Sequence, residues 1–245
     1  MLPFNFSVKN QEHSAHGAYP CDTCEVREIS ACASLNADEM FRLTSIMQTV
    51  AIAPHRLIFV ETDPAMNVFN LTEGVVKIYK MMVDGRRQVT GFLFPGDFLG
   101  LVHNESYAYT AETVTKSKLC QFPRRQLEAL LNELPNLEQR LLGMASHELA
   151  AAQDQMILLG RKSARERVAS FLLMLSKAAE RQGHRNNPIL IPMPRTDIAD
   201  YLGLSTETIS RTFTEFNGQG LIHLMNDRHV QLVDLTAIYK VAAGI

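Results

Sequence analysis

The spacing of apolar positions changes character along this chain, and each change marks a new kind of element. Residues 36–50, NADEMFRLTSIMQTV, place apolar side chains at helical intervals. Asn36 is positioned to cap that helix, with Glu39 three residues on as its reciprocal partner. From about 53 to 122 the pattern becomes short alternating runs broken by Gly, Pro and Asp, among them HRLIFVE, NVFNLTEGVVKIYKMM, RRQVTGFLF and KSKLCQF. Such runs predict a β-barrel or sandwich. Asp84-Gly85, between two of them, predicts a tight hairpin in which both central residues take positive φ.

Helical periodicity then returns. RRQLEALLNEL predicts a short helix closed by Pro135, and residues 136–160 run on without a proline. In that long helix Leu142, Ala145, Leu149, Ala152, Met156 and Leu159 alternate by three and four, a seam sustained over nearly three heptads. Leu141, Met144 and Leu158 form a second apolar set on adjoining positions. Two apolar faces predict two partners: the β-domain on one side and a second copy of the chain on the other. We expect a parallel homodimer, with Ala145 and Ala152 allowing close approach. The alternative is one amphipathic helix lying on its own domain. A further helix, KSARERVASFLLMLSKAA (162–179), ends in the polar loop RQGHRNNP.

The last third carries a second kind of signal. A short helix over about 195–202 is ended by Gly203, and Ser205 is a suitable cap for another over about 206–217. Ile198, Ala199, Leu202, Leu204, Ile209 and Phe213 fall where two such helices would pack. Gly218 and Gly220 stop the second. Strands over about 221–225 and 229–233, around a turn at Asn226-Asp227, predict a wing. In a helix-turn-helix the start of the second helix enters the major groove. Here that start supplies Thr206, Glu207, Thr208, Ser210 and Arg211. Arginine pairs with guanine, glutamate accepts from cytosine, and hydroxyls reach bases or phosphates. A helical hairpin with an ordinary polar surface is the plainer reading.

Charge and composition change the picture in three places. The net charge of −2 suggests no polyanionic partner, yet residues 161–245 carry 11 Lys and Arg against 8 Asp and Glu, which permits DNA binding. No apolar run reaches a membrane-spanning length, and the first twenty residues, with His13 and His16, lack an apolar signal core. A cytoplasmic protein is expected. Three of the four cysteines, Cys21, Cys24 and Cys32, stand within twelve residues. In a reducing compartment such a cluster points to metal ligands or redox groups rather than disulfides. No nucleophile–base set or phosphate loop suggests an enzyme.

Over nearly its whole length the chain resembles the CRP/FNR family of transcription regulators. LFPGDFLGL is similar to that family's β-roll signature, and ADYLGLSTETISRTFTEF to its recognition region. The resemblance implies an α+β fold: a cyclic-nucleotide-binding-like β-roll, a long dimerisation helix and a C-terminal winged helix-turn-helix. The expected divisions are a cysteine-rich segment (1–34), the β-roll (35–124), the dimerisation region (125–160) and the DNA-binding domain (161–245). Glu207, Ser210 and Arg211 resemble the base-reading set of the FNR branch, which implies a palindromic site with TTGAT-type half-sites. Thr206 stands where relatives often carry an apolar residue.

The family's cyclic nucleotide is held by an Arg-Ser pair and by hydroxyls of the long helix. The segment LVHNESYAYTAETV has no Arg beside Ser or Thr, and AAAQDQ has no hydroxyl, so no cyclic nucleotide is expected. In the FNR branch three N-terminal cysteines and one from a β-roll strand hold a [4Fe-4S] cluster, and Cys21, Cys24, Cys32 and Cys120 fit that set. The gap before Cys32 is longer than in the best-known member. Four soft thiolates suit a cubane, and the short segment alone cannot surround one. A four-cysteine zinc site, a redox dithiol at Cys21 and Cys24, or another small effector are the alternatives. The resemblance further implies an oxygen sensor whose dimer binds DNA when the cluster is intact. It places an acidic residue in some relatives' seams, where this chain has Ala152 flanked by Glu148 and Asp154. It also implies contacts to RNA polymerase through the Asp84-Gly85 hairpin and the loop around His184–Asn187.

Overall fold

The computed structural model describes residues 21, 23–101, 105–225 and 228–245. The first helix, α1 (Ala37–Ser45), starts on the expected capping box: Asn36 Oδ1 accepts from Glu39 N at 3.0 Å, and Glu39 Oε2 accepts from Asn36 N at 2.9 Å. The helix stops at Ser45, earlier than the periodicity suggested. Gln48–Ile52 form strand β1 instead. Thr49, Val50 and Ile52 are β-branched and gain a ladder with a later strand that a helix could not offer.

The β-roll is two antiparallel sheets. One is ordered β1-β8-β3-β6, with β3 Asn67–Glu73, β6 Phe98–Leu99 and β8 Ser117–Pro123. The other is ordered β2-β7-β4-β5, with β2 Leu57–Phe59, β4 Val76–Met81, β5 Arg87–Leu93 and β7 Thr110–Thr113. Leu71, Val76, Leu93, Leu99, Ala111 and Leu119 fill the space between them. The β4–β5 hairpin departs from the two-residue turn expected. Only Gly85 has positive φ, and its N–H bonds to Met82 O at 2.9 Å while Met82 N bonds to Arg86 O at 2.8 Å. Asp84 keeps negative φ and accepts from Arg86 N, so one glycine suffices for this longer loop.

Helices α2 (Arg124–Leu131) and α3 (Pro135–Arg161) follow β8. Helix α3 ends at Lys162, because Ser163 and Glu166 form a second capping box that starts α4 (Ala164–Arg181). The C-terminal domain then sets α6 (Thr206–Gly218) against α4, and α5 (Arg195–Leu202) against α6 and β5. Beside them lies a small sheet ordered β10-β11-β9, with β9 Ile189–Leu190, β10 Ile222–Leu224 and β11 His229–Leu232. The wing turn at Asn226-Asp227 lies outside the described residues, as do His13 and His16. Neither β9 nor α7 (Leu235–Ala243), which packs on α4, was signalled by the sequence pattern. The C-terminal core is Val168, Phe171, Leu172, Ile198, Ile209, Phe213 and neighbours, and it continues into Val89, Phe92 and Phe94 of the β-roll.

A buried ionic contact reinforces that junction. Lys77 on β4, 3 % exposed, places Nζ 3.0 Å from both Asp197 carboxylate oxygens on α5 and 3.1 Å from Glu112 Oε1. Arg87 on β5 bonds Asp197 at 2.6 Å and Asp200 at 2.7 Å. Among the described residues no helix is long and apolar enough to cross a membrane.

Candidate cysteine centre and nucleic-acid interface

The segment bearing the first three cysteines folds into two 3-10 turns, Arg27–Ile29 and Ala31–Ser34. Ser30, buried between them, caps the second by accepting from Cys32 N at 3.3 Å. Cys120 sits mid-strand on β8, paired with Thr49 of β1 and Asn70 of β3. Cys21 is buried in one apolar cluster with Leu43, Val68, Phe98, Phe122 and Leu137, and Cys32 and Cys120 pack against it. Burial pushes the Cys120 thiol well up from its ordinary value, and repulsion from Cys21, Cys32 and Cys24 adds to this. Cys32 is raised too, chiefly by burial, against the opposing Ser30 hydrogen bond and Arg27 charge. The four sulfurs therefore share one electrostatic neighbourhood, although Cys120 is distant in sequence.

All four are free thiols. Among the described residues no three His, Cys, Asp or Glu side chains converge closely enough to hold one metal ion. A single zinc draws its sulfurs to about 2.3 Å from a common point. A cubane lets each cysteine meet a different iron, so its sulfurs stand further apart. The donor set has the chemistry for such a group: four unbridged thiols, of which Cys21, Cys32 and Cys120 meet at one apolar cluster.

The cysteine segment is gripped from both sides. Arg140 on α3 donates from Nε to Ser30 O at 3.3 Å and from Nη2 to Ile29 O at 3.4 Å. The Ile29 side chain covers Gly96 so closely that a Cβ there would lie 2.9 Å from it. The segment thus touches both the β-roll turn and the long helix.

Along α3 the two apolar sets separate. Leu141 is buried and Met144 half-buried on the cysteine-side cluster, whereas Leu158 joins the C-terminal core rather than the β-domain alone. Leu142, Leu149 and Met156 are 67 %, 61 % and 71 % exposed, and Ala145 and Ala152 between them are exposed too. Leu159 departs from this face. It is half-covered by its own chain, where it packs on Gly203. The helix turns there from its outward seam into the C-terminal junction. Glu148 is exposed on the side of α3 that looks towards Asp97.

The reader elements follow the expected plan. Gly203 takes φ +62° to end α5, and Ser205 Oγ accepts from Thr208 N at 3.1 Å to start α6. Ile198, Leu202, Ile209 and Phe213 are buried between the helices. Thr206, Glu207, Ser210 and Arg211 are exposed, and Thr208 is half-buried. Ser210 Oγ donates to Thr206 O at 2.9 Å, and Thr208 Oγ1 shares a hydrogen bond with Ser205 Oγ. Glu207 and Arg211 form no ion pair among the described residues, so their charged ends project from α6. Arg195, at the start of α5, stacks 3.6 Å from the Phe213 ring centroid and braces the recognition helix from beneath. Sequence reading missed Arg195, Arg140 and Asn70. Only Asn70 left a trace, as one amide in the apolar run VFNL.

Comparison with known proteins agrees with this arrangement. A family described as "Crp-like helix-turn-helix domain" matches residues 166–241, and one described as "Cyclic nucleotide-binding domain" matches residues 49–133. The nitrogen fixation regulation protein FixK of Bradyrhizobium diazoefficiens is 36 % identical, covering 91 % of this chain and 94 % of that protein. The transcriptional activator protein FnrL of Cereibacter sphaeroides is 34 % identical over 91 % of each. The solved structure of FixK2 from Bradyrhizobium japonicum superposes with a TM-score of 0.75 at 33 % identity, covering 80 % of this chain and 97 % of that one. A β-roll joined by a long helix to an outward-facing reader, with full-length relatives of this kind, places the chain in the CRP/FNR family of transcription regulators, in its FNR branch.

Proposed function

We propose that this regulator responds to oxygen, and that Cys21, Cys24, Cys32 and Cys120 hold a [4Fe-4S] cluster which favours the DNA-binding dimer. The observation that carries this reading is the meeting of Cys21 and Cys32 with Cys120 at one apolar cluster, with Cys24 three residues along from Cys21. A cluster bound there supplies oxygen-labile redox chemistry and the positive charge that buried thiolates need.

The chain's own residues supply the coupling. Arg140 and Ile29 tie the cysteine segment to α3 and to the Gly96 turn. Order in that segment therefore supports the part of α3 from which Leu142, Ala145, Leu149, Ala152 and Met156 face outward. Pairing of two copies through that face spaces two α6 helices on a palindromic site. Glu207, Ser210 and Arg211 then read TTGAT-type half-sites, while Thr206 and Thr208 meet the backbone. A bias of about 2.7 kcal/mol on pairing changes association roughly a hundredfold. The exposed hairpin at Asp84-Gly85 and the loop at His184–Asn187 are the surfaces offered to RNA polymerase. Cyclic nucleotide has no part in this reading.

The test is purification without air. We expect coloured protein with about four iron and matching sulfide per chain. On aeration it should lose colour, shift towards monomer in sedimentation and release a TTGAT-type duplex. Colourless protein carrying one zinc would reject the cluster, and unchanged dimer content after iron loss would reject the switch.

A further inference from the structure

Asn70 lies in the middle of β3, directly across the ladder from Cys120 on β8 and from Phe98 on β6. Cross-strand partners point to the same sheet face, with Cβ atoms about 5 Å apart. Val68 and Phe122, a like pair on that ladder, lie in the apolar cluster that receives Cys21, Cys32 and Cys120. Asn70 therefore faces the cysteine neighbourhood. It is 2 % exposed, and its Oδ1 is fully buried with no hydrogen-bond partner. A buried carboxamide oxygen with nothing to bond is a cost that an apolar residue of similar shape avoids. Rotation of the carboxamide exchanges its oxygen and nitrogen ends, so the same position can present N–H.

We infer that Asn70 is the hydrogen-bond donor to the sulfur centre: its carboxamide N–H is held for a thiolate of the cysteine set, with Cys120 its ladder neighbour. The inference rests on the reading of these cysteines as metal-group ligands and goes beyond it, assigning a residue that is not itself a ligand. Thiolate sulfur gains from a nearby N–H donor, and such hydrogen bonds tune both the retention and the potential of a bound group. The unpaired amide is then a preformed half of an interaction that the loaded protein completes.

The sign of the effect differs between metal-free and loaded protein, and this makes it testable. Asn70→Leu removes an unsatisfied polar group from the metal-free chain, so its melting temperature should rise by about 3 °C. In the loaded protein the same variant should lose iron to a chelator, without air, roughly tenfold faster than wild type. Asn70→Ala serves as the second variant should leucine overpack. It should show the same accelerated loss without the thermal gain. Retention equal to wild type in both variants would overturn the inference. If wild type takes up no iron, the cluster reading fails by itself, and the same comparison with zinc decides the donor. Equal zinc retention, or no zinc binding, overturns it.

Discussion

Gly96 shows how one residue connects the β-roll to the cysteine segment. Its φ of +98° is a conformation that side-chain-bearing residues rarely adopt, and Ile29 occupies the space a Cβ would need. Gly96→Ala should therefore cost about 1–2 kcal/mol and lift the cysteine segment from the β-roll. The outcome expected is faster proteolysis at Arg27 than in wild type, with the reader domain's thermal transition unchanged. At this scale the sequence was partly legible. Asn36 with Glu39, and Ser205, announce their capping roles through chemistry that works over a few residues. Arg140 does not announce its role, because its partners Ser30 and Ile29 come from an element far away in the chain.

Among the elements, α3 carries the largest unsatisfied demand. An exposed row of Leu142, Leu149 and Met156, spaced by small alanines, exceeds what a solvated helix face requires. Leu149→Glu should leave helix content unchanged but put like charges opposite each other across a parallel pair. Sedimentation should then show monomer at concentrations where wild type is dimeric, with DNA affinity falling in step. Wild-type dimer content in this variant would move the interface elsewhere. The heptad pattern marks the outward face up to Met156. It could not foresee that Leu159 turns inward, since that depends on where Gly203 packs. Strand β1 was likewise hidden inside a helical pattern, because residues 48–52 acquire their ladder only from β8.

Across the whole molecule, the β-roll and the C-terminal domain are joined by shared apolar packing and by the Lys77–Asp197–Arg87 contact. Both central groups are almost fully buried, so loss of one partner leaves a charge with reduced compensation. Asp197→Asn should cost about 3 kcal/mol in urea unfolding. Lys77→Met combined with Asp197→Leu should recover part of it, because a packed apolar pair has no desolvation to repay. If Asp197→Asn unfolds like wild type, the apolar contacts alone hold the domains together.

The sequence by itself determined the order and type of most elements, the helix caps, the outward face of α3 up to Met156 and the exposed polar start of α6. Each of these is a local or periodic property, set by backbone preference and by which face of one element is apolar. Tertiary structure alone decided the rest. It brought Cys120 to the three N-terminal cysteines, turned an isolated Asn70 into an orphaned amide at their side, and anchored the cysteine segment on α3. It also locked α5 to the β-roll through buried charges. Those are long-range juxtapositions made when strands pair and domains dock, and no spacing along the chain encodes them.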